Sequence, residues 1–134
     1  YNKSGGGNNY LEYSQLVNFL EKIKPYWSSE KKEVFISGGE PLLYDKCLDV
    51  LVEASKMGYD VYLVTNGCYL SADIMNEIYP YIKGVQISLD GCSSNVHDYF
   101  RGEGSFNKTM ENIKLFDKKM LEIIISMKMF SLSL

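Results

Sequence analysis

The chain has 134 residues, of which 46% are hydrophobic and 23% are charged, and its formal net charge is −3. This composition predicts one globular domain, because it is too apolar for disorder and the length suffices to bury a core without disulfides. No apolar run is long enough to span a membrane, and the scattered lysines form no basic patch for nucleic acid or an anionic membrane.

The first nine residues contain the segment Ser-Gly-Gly-Gly-Asn-Asn, which predicts a flexible lead-in. From about residue 10 to residue 24, apolar residues recur at the spacing of one helical face, and Pro25 ends the predicted helix. The recurring residues are Tyr13, Leu16, Val17, Leu20 and Ile23.

Four short apolar runs predict β-strands, namely Glu33–Ser37, Asp60–Thr65, Gly84–Leu89 and Glu122–Met127. Three of them are apolar on both faces, which is the pattern of a parallel sheet covered by helices. Helices are predicted at about 44–57, 71–81 and 106–119, and an insertion at 92–105 precedes the last of them.

The second predicted helix has a C-terminal cap at Gly58. Its expected buried face contains Cys47, Leu48, Leu51 and either Val52 or Ser55. Alternating helices and strands of this kind predict an α/β fold, either an open doubly wound sheet or an arc of a (β/α) barrel. Periodicity alone does not choose between the two.

Small polar residues and glycines follow three of the strands, and in either architecture ligands bind at this end of a parallel sheet. The three segments are Ser37-Gly38-Gly39-Glu40-Pro41, Thr65-Asn66-Gly67 and Ser88-Leu89-Asp90-Gly91. The two glycines of the first segment let backbone approach a ligand, and Pro41 fixes the turn that aims Glu40. A carboxylate beside backbone carbonyls suits an ammonium group, whereas Ser88 and Asp90 suit hydroxyls such as those of a ribose.

The three cysteines, Cys47, Cys68 and Cys92, stand far apart and have none of the close spacing of zinc or iron–sulfur ligands. They form no disulfide framework, so a reducing, cytoplasmic location is expected. Cys68 and Cys92 follow neighbouring strands, yet we interpret both as small buried residues. His97, the one histidine, is expected to order a loop through a hydrogen bond and is given no catalytic role.

Four motifs together resemble the core of the radical S-adenosylmethionine (SAM) enzymes. They are Gly-Gly-Glu-Pro at 38–41, Thr-Asn-Gly at 65–67, Gln-Ile-Ser-Leu-Asp-Gly at 86–91, and His97-Asp98 followed by Arg101-Gly102. The resemblance runs from about Leu11 to Ile125 and is greatest to the branch that matures peptides and proteins, often with a C-terminal auxiliary-cluster domain. It implies an incomplete (β/α) barrel with a parallel sheet of about four strands and covering helices.

The resemblance also implies cofactor contacts. In it, Gly38, Gly39 and Glu40, in the turn closed by Pro41, hold the amino group of S-adenosylmethionine. Ser88 and Asp90 lie near its ribose and carboxylate. Arg101 approaches the cofactor carboxylate or a substrate acid, and Thr65 and Asn66 shape the pocket floor.

Enzymes of this family bind a 4Fe–4S cluster through three cysteines at CxxxCxxC and take an electron from a donor. The cluster cleaves the cofactor to a 5′-deoxyadenosyl radical, which abstracts a hydrogen from the substrate, here a peptide or protein. This sequence has no CxxxCxxC, and Tyr1 resembles the aromatic residue that commonly follows that motif. We therefore expect no metal ligands and no catalytic residues in this chain, and a polypeptide that is inactive alone.

On this interpretation residues 1–9 are a lead-in just after a missing cluster loop, 10–126 a partial core and 127–134 an atypical tail. The missing strands would leave sheet edges at Val34 and Ile123 open to self-association. An alternative is a non-catalytic remnant or binding module that uses the strand-end rim for a nucleotide-like ligand or a partner. An unrelated phosphate-binding protein is disfavoured, because no glycine-rich loop opens a helix.

Overall fold

A computed structural model describes residues 11–27 and 30–114, and the backbone of 122–127. The helices are α1 (Tyr13–Ile23), α2 (Cys47–Lys56), α3 (Ala72–Ile78), α4 (Ser94–Arg101) and α5 (Ser105–Ile113). The strands are β1 (Glu33–Ile36), β2 (Asp60–Thr65), β3 (Gly84–Leu89) and β4 (Glu122–Met127). The predicted lead-in at 1–9 and all of the predicted tail after Met127 lie outside the described residues.

The four strands form one parallel sheet in the order β1-β2-β3-β4, with Val34 opposite Val61, Leu63 opposite Val85 and Gly84 opposite Glu122. The predicted α/β class and the four parallel strands are therefore confirmed. The predicted bounds differ only at β1, which ends at Ile36 rather than Ser37.

Helices cover one face of the described sheet, which agrees with the expected parallel sheet with covering helices. Along β2 buried and half-buried side chains alternate, and Val61 and Leu63 are fully buried. On the opposite face Phe35 is 47% exposed and stacks on Tyr62 with ring centroids 4.8 Å apart. A sheet with helices on one face corresponds to an arc of a barrel, whose other face would be the barrel interior, rather than to a doubly wound sheet.

Helix α2 packs on this sheet with Cys47, Val50, Leu51 and Ala54, all of them buried. This set follows the i, i+3, i+4, i+7 spacing of a single helical face. Burial of Cys47 and Leu51 is confirmed, whereas Val52 and Ser55 are only half-buried, so that part of the prediction is wrong. Leu48 is partly buried at the edge of that face.

Helices α1 and α2 end where Pro25 and Gly58 predict. Gly58 has φ +85°, and the N–H groups of Gly58 and Tyr59 donate to the carbonyls of Ser55 (2.9 Å) and Ala54 (3.2 Å). These two bonds form a Schellman cap, which confirms the predicted end of α2. Pro25 lies in a 3₁₀ turn directly after α1, as expected for a residue that cannot continue an α-helix.

The segment at 92–105, predicted as an insertion, contains helix α4, which the sequence pattern did not reveal. His97 is its one buried residue, whereas Val96, Tyr99 and Phe100 are exposed apolar residues. Their outward position obscures the helical periodicity. Helix α5 begins at Ser105, one residue before its predicted start, and the predicted extension to residue 119 lies outside the described residues.

Asp98 joins α4 to α5. Its Oδ1 accepts hydrogen bonds from the Phe106 N–H (2.8 Å) and the Ser105 hydroxyl (3.0 Å), and its Oδ2 accepts one from the Gly104 N–H (2.9 Å). The bond from the Phe106 N–H, helped by the other two, lowers the pKa of Asp98 below its ordinary value of 3.8. The carboxylate thereby caps the start of α5 from the preceding helix.

Within the part of the chain that the structure describes, no helix has the length and apolar character needed to cross a bilayer.

The Asp98 bonds predict an acid-side dependence of stability. Because its pKa is depressed in the folded state, the stabilisation is complete above about pH 4 and is lost as the pH falls through the folded-state pKa. Asp98→Asn should lower the melting temperature at neutral pH, and the difference from the unmodified chain should shrink below about pH 4. A difference that stays constant across a calorimetric pH series would contradict this assignment.

Candidate functional site

The carboxyl ends of β1, β2 and β3 lie at one edge of the sheet, because the strands are parallel. Their loops form a rim that contains the residues singled out by sequence. Hydrogen bonds join several of these residues into two groups, one around Glu40 and one around Asp90.

Glu40 links the loop after β1 to the loop after β2. Its Oε1 accepts hydrogen bonds from the Thr65 hydroxyl (2.7 Å) and the Leu42 N–H (3.2 Å). Its Oε2 accepts one from the Asn66 N–H (2.8 Å). The carboxylate therefore links the loop after β1 to the loop after β2. The adjoining turn at 38–39 is held in place through this link.

Gly38 and Gly39 are exposed, and neither has the left-handed backbone that favours glycine. A Cβ placed on either residue would have no atom of the described residues within 4 Å. The fold itself therefore does not require glycine at these positions, although glycine costs conformational entropy there. Pro41, which is buried, begins the 3₁₀ turn at 41–43 that directs the chain back toward α2.

An apolar groove of about 510 Å³ runs along the open edge of β1 between α1 and α2. Leu11, Phe19 and Val34 contribute to its wall, and its polar end is formed by the 37–40 turn. The groove thus reaches the Gly38-Gly39 backbone. The rim residues after β2 and β3 do not line it.

Thr65 is only 2% exposed, and its hydroxyl contacts both rim loops. That hydroxyl donates to Glu40 and accepts a hydrogen bond from the Gly67 N–H (3.1 Å). The Asn66 side chain closes the same turn, because its Oδ1 accepts from the Cys68 N–H (2.8 Å).

Sequence reasoning missed two buried polar residues of α5 that hold the β2 loop. The Thr109 hydroxyl donates to the Asn66 carbonyl (2.9 Å), and the Asn112 side-chain amide donates to the carbonyls of Gly67 (2.8 Å) and Cys68 (3.1 Å). Both residues lie on the inward face of a helix predicted from apolar spacing alone. Two polar residues three positions apart on such a face were the available signal.

The second group lies at the end of β3. Arg101 donates from Nε to Oδ2 of Asp90, and the Asp90 N–H donates to Nδ1 of His97 (3.1 Å). The loop-ordering hydrogen bond predicted for His97 is confirmed. Burial lowers the pKa of His97, partly offset by the negative charge of Asp90. Ser88 is half-buried and shares with Gln86 the sheet face that no described helix covers.

The cysteines of this chain do not fit an iron–sulfur cluster. Cys47 is buried, and burial, together with the charge of Glu40, raises its pKa to about 12, which keeps the thiol protonated. The Cys68 sulfur lies 3.3 Å from the Thr109 hydroxyl, and Cys92 is exposed, so the expectation that Cys92 is buried is wrong. Within 11–27 and 30–114 no three Cys, His, Asp or Glu side chains gather as a metal site would require.

Comparison with known proteins identifies similar chains. The profile of the Radical SAM superfamily matches residues 1–131. The AdoMet-dependent heme synthase of Methanosarcina barkeri is 31% identical over 110 residues, covering 81% of this chain and 31% of that protein. The antilisterial bacteriocin subtilosin biosynthesis protein AlbA of Bacillus subtilis is 33% identical over 98 residues, covering 71% of this chain and 22% of that protein.

The mycofactocin maturase MftC of Mycolicibacterium smegmatis is 33% identical over 103 residues, covering 73% of this chain and 24% of that protein. Among solved structures, native anSMEcpe with bound AdoMet superposes with a TM-score of 0.65 at 18% identity, covering 92% of this chain and 36% of that one. The structural likeness supports the partial-barrel fold. The chain spans less than a third of the length of these curated relatives.

Gly67 supplies a test of how tightly α5 holds the rim. It has φ +81°, and a Cβ would lie 2.8 Å from Cγ2 of Thr109. Gly67→Ala should cost roughly 2–5 kcal/mol of unfolding free energy, because left-handed backbone costs about 1–2 and overpacking about 1–3 kcal/mol. Gly58→Ala, with similar φ but no close atom, is the matched control and should lose only the backbone part.

Thr109→Ser removes Cγ2 but keeps the hydroxyl that binds the Asn66 carbonyl. Adding it to Gly67→Ala should recover part of the stability lost, as measured by urea unfolding. Equal losses for Gly67→Ala and Gly58→Ala, with no recovery in the double variant, would contradict the close packing.

Proposed function

The chain belongs to the Radical SAM superfamily, and from this premise we propose that its strand-end rim binds S-adenosylmethionine for an enzyme acting on a peptide or protein. The observation that carries the proposal is the open Gly38-Gly39 backbone, which neither positive φ nor crowding explains. Close approach of a ligand explains both glycines.

In this proposal the backbone carbonyls of the Gly38-Gly39 turn accept hydrogen bonds from the amino group of the cofactor. Glu40 holds that turn against the β2 loop and adds negative charge close to the ammonium. Ser88 and Asp90 offer polar atoms for the ribose and methionine groups, and Arg101, held at Asp90, faces an acidic group of cofactor or substrate. When bound in such enzymes, S-adenosylmethionine supplies the radical chemistry of the family.

The proposed substrate class rests on the relatives, of which one is named for bacteriocin biosynthesis and another is named a maturase. In this proposal, an enzyme that contains this chain together with the cluster ligands takes an electron from a donor. A cytoplasmic location is proposed because the three cysteines form no disulfide, as is usual in a reducing compartment.

The same cysteine geometry favours a second candidate, a binding module without catalysis that uses the rim for a nucleotide-like ligand or a partner. The two candidates differ in the coding sequence that precedes Tyr1. A CxxxCxxC ending there supports the enzyme, whereas a longer reading frame without that motif supports the module.

The first prediction here concerns the cluster. After anaerobic incubation with iron and sulfide, the 134-residue chain should show no 4Fe–4S absorbance and form no 5′-deoxyadenosine, because its cysteines are separately placed. Iron and sulfide analysis of the desalted protein checks the result. A stoichiometric cluster would refute the claim that the ligands lie outside these residues.

The second prediction concerns the cofactor itself. Millimolar S-adenosylmethionine should shift backbone amide NMR signals of residues 37–40 and 88–91, and Gly39→Val should abolish these shifts because its side chain occupies the open approach. Asn76→Val is the control. It places the same valine side chain at an exposed site of α3 and should leave the shifts unchanged. An absence of shifts in the unmodified chain would count against cofactor binding by this rim.

A further inference from the structure

Helix α4 holds Asp90 at two points. His97 accepts the Asp90 N–H at Nδ1 (3.1 Å), and Arg101, one turn later on the same helix, donates from Nε to the Asp90 carboxylate. Asp90 is the first residue after β3, so its backbone and side chain are both oriented by one helix. The Asp90 side chain is 7% exposed and that of Arg101 is 34% exposed, which leaves Arg101 as the outer member of the pair.

The turn after Asp90 is pressed against the start of α4. A Cβ at Gly91 would lie 2.6 Å from Cγ1 of Val96 and 3.3 Å from the backbone nitrogen of His97. No larger residue fits there unless the turn moves away from the helix. The distance from Asp90 to His97 is thus maintained by packing as well as by the hydrogen bond.

The His97 ring is fully buried and packs against Phe106 with centroids 5.8 Å apart. Because Nδ1 accepts a hydrogen bond, the proton of the neutral ring is on Nε2, which has no partner among the described residues. A buried polar group without a partner costs about 1–3 kcal/mol. An apolar side chain would fill this space without that cost, so the acceptor at Nδ1 is what histidine contributes.

We propose that His97 is a positioning residue, which fixes the Asp90–Arg101 pair on the rim through the Asp90 N–H. This inference rests on the proposed function for what the pair binds. It assigns His97 no contact with the ligand. Removing the acceptor would free the Asp90 backbone, and the guanidinium of Arg101 would lose its defined direction.

The arrangement depends on His97 remaining neutral. The charged groups around its ring are Asp90 and Asp98, which favour the protonated form, and Arg101, which opposes it; α5 contributes the neutral ring of Phe106. Protonation would place a second N–H against the Asp90 N–H. Since burial lowers the pKa of His97 below 6.5, the bond is complete above about pH 6.5 and is lost as the pH falls through the folded-state pKa.

The sequence contains one histidine and one arginine, so the NMR signals of the His97 ring and the Arg101 Nε–H are unambiguous. Three variants separate the acceptor from the packing. His97→Leu removes the acceptor, and His97→Asn replaces Nδ1 by a side-chain oxygen at a similar distance. Phe106→Leu loosens the ring packing but leaves the Asp90–His97 bond possible, and it is the control for stability.

In His97→Leu the Arg101 Nε–H signal should move toward that of a free guanidinium, and its hydrogen exchange should accelerate. His97→Asn should restore both, and Phe106→Leu should change neither. Affinity for S-adenosylmethionine, measured from amide shifts, should fall about fivefold or more in His97→Leu, as expected for loss of one buried hydrogen bond. It should recover in His97→Asn.

An Arg101 signal that is unchanged in His97→Leu, or one not restored by His97→Asn, would overturn the proposal. If His97→Leu does not fold, a pH titration of the unmodified chain decides the matter. The Arg101 signal should then follow the protonation of the His97 ring with the same midpoint, and independent behaviour would overturn it. Failure of the unmodified chain to bind the cofactor would contradict the proposed function. The Arg101 signals test the positioning role of His97 independently of cofactor binding.

Discussion

The rim depends first on the Glu40 carboxylate, which accepts hydrogen bonds from donors in two different loops. β1 is a short strand at the edge of the sheet, and Glu40 links the turn that follows it to the end of β2. Hydrogen bonds to a carboxylate are stronger than those between neutral groups. The two from Thr65 and Asn66 fix this turn relative to β2, and the one from the Leu42 N–H is local to the turn. The open backbone of Gly38-Gly39 therefore has a defined position, although in the described part of the chain no atom would crowd a Cβ there.

From Glu40 the polar contacts continue around the rim through helices rather than along the strands. Thr109 and Asn112 of α5 hold the β2 loop, and Asp98 of α4 caps the start of α5. The same α4 helix then orients Asp90 at the end of β3. Each loop is thus positioned by a neighbour in space, which explains how three separated segments form one rim.

Most strand bounds and the end of α2 were predictable from the sequence, because their signals are local. Strands β2, β3 and β4 begin and end where their apolar runs do, and Gly58 caps α2 as its position indicated. Helix α4 was missed because its exposed Val96 and Tyr99 obscure the apolar periodicity on which helix prediction relies. The apolar runs left the choice between a doubly wound sheet and a barrel arc open, since they do not reveal what lies on each side of the sheet.

The sequence by itself determined the α/β class, the order of the strands and the resemblance of its strand-end motifs, because these depend on residue type and spacing along the chain. The tertiary structure decided which partners the motif residues contact. Glu40 and Thr65 bind each other, and Arg101 binds Asp90, through contacts between residues far apart in sequence. Which residues become partners depends on how loops and helices approach each other in space. Spacing along the chain does not predict that approach.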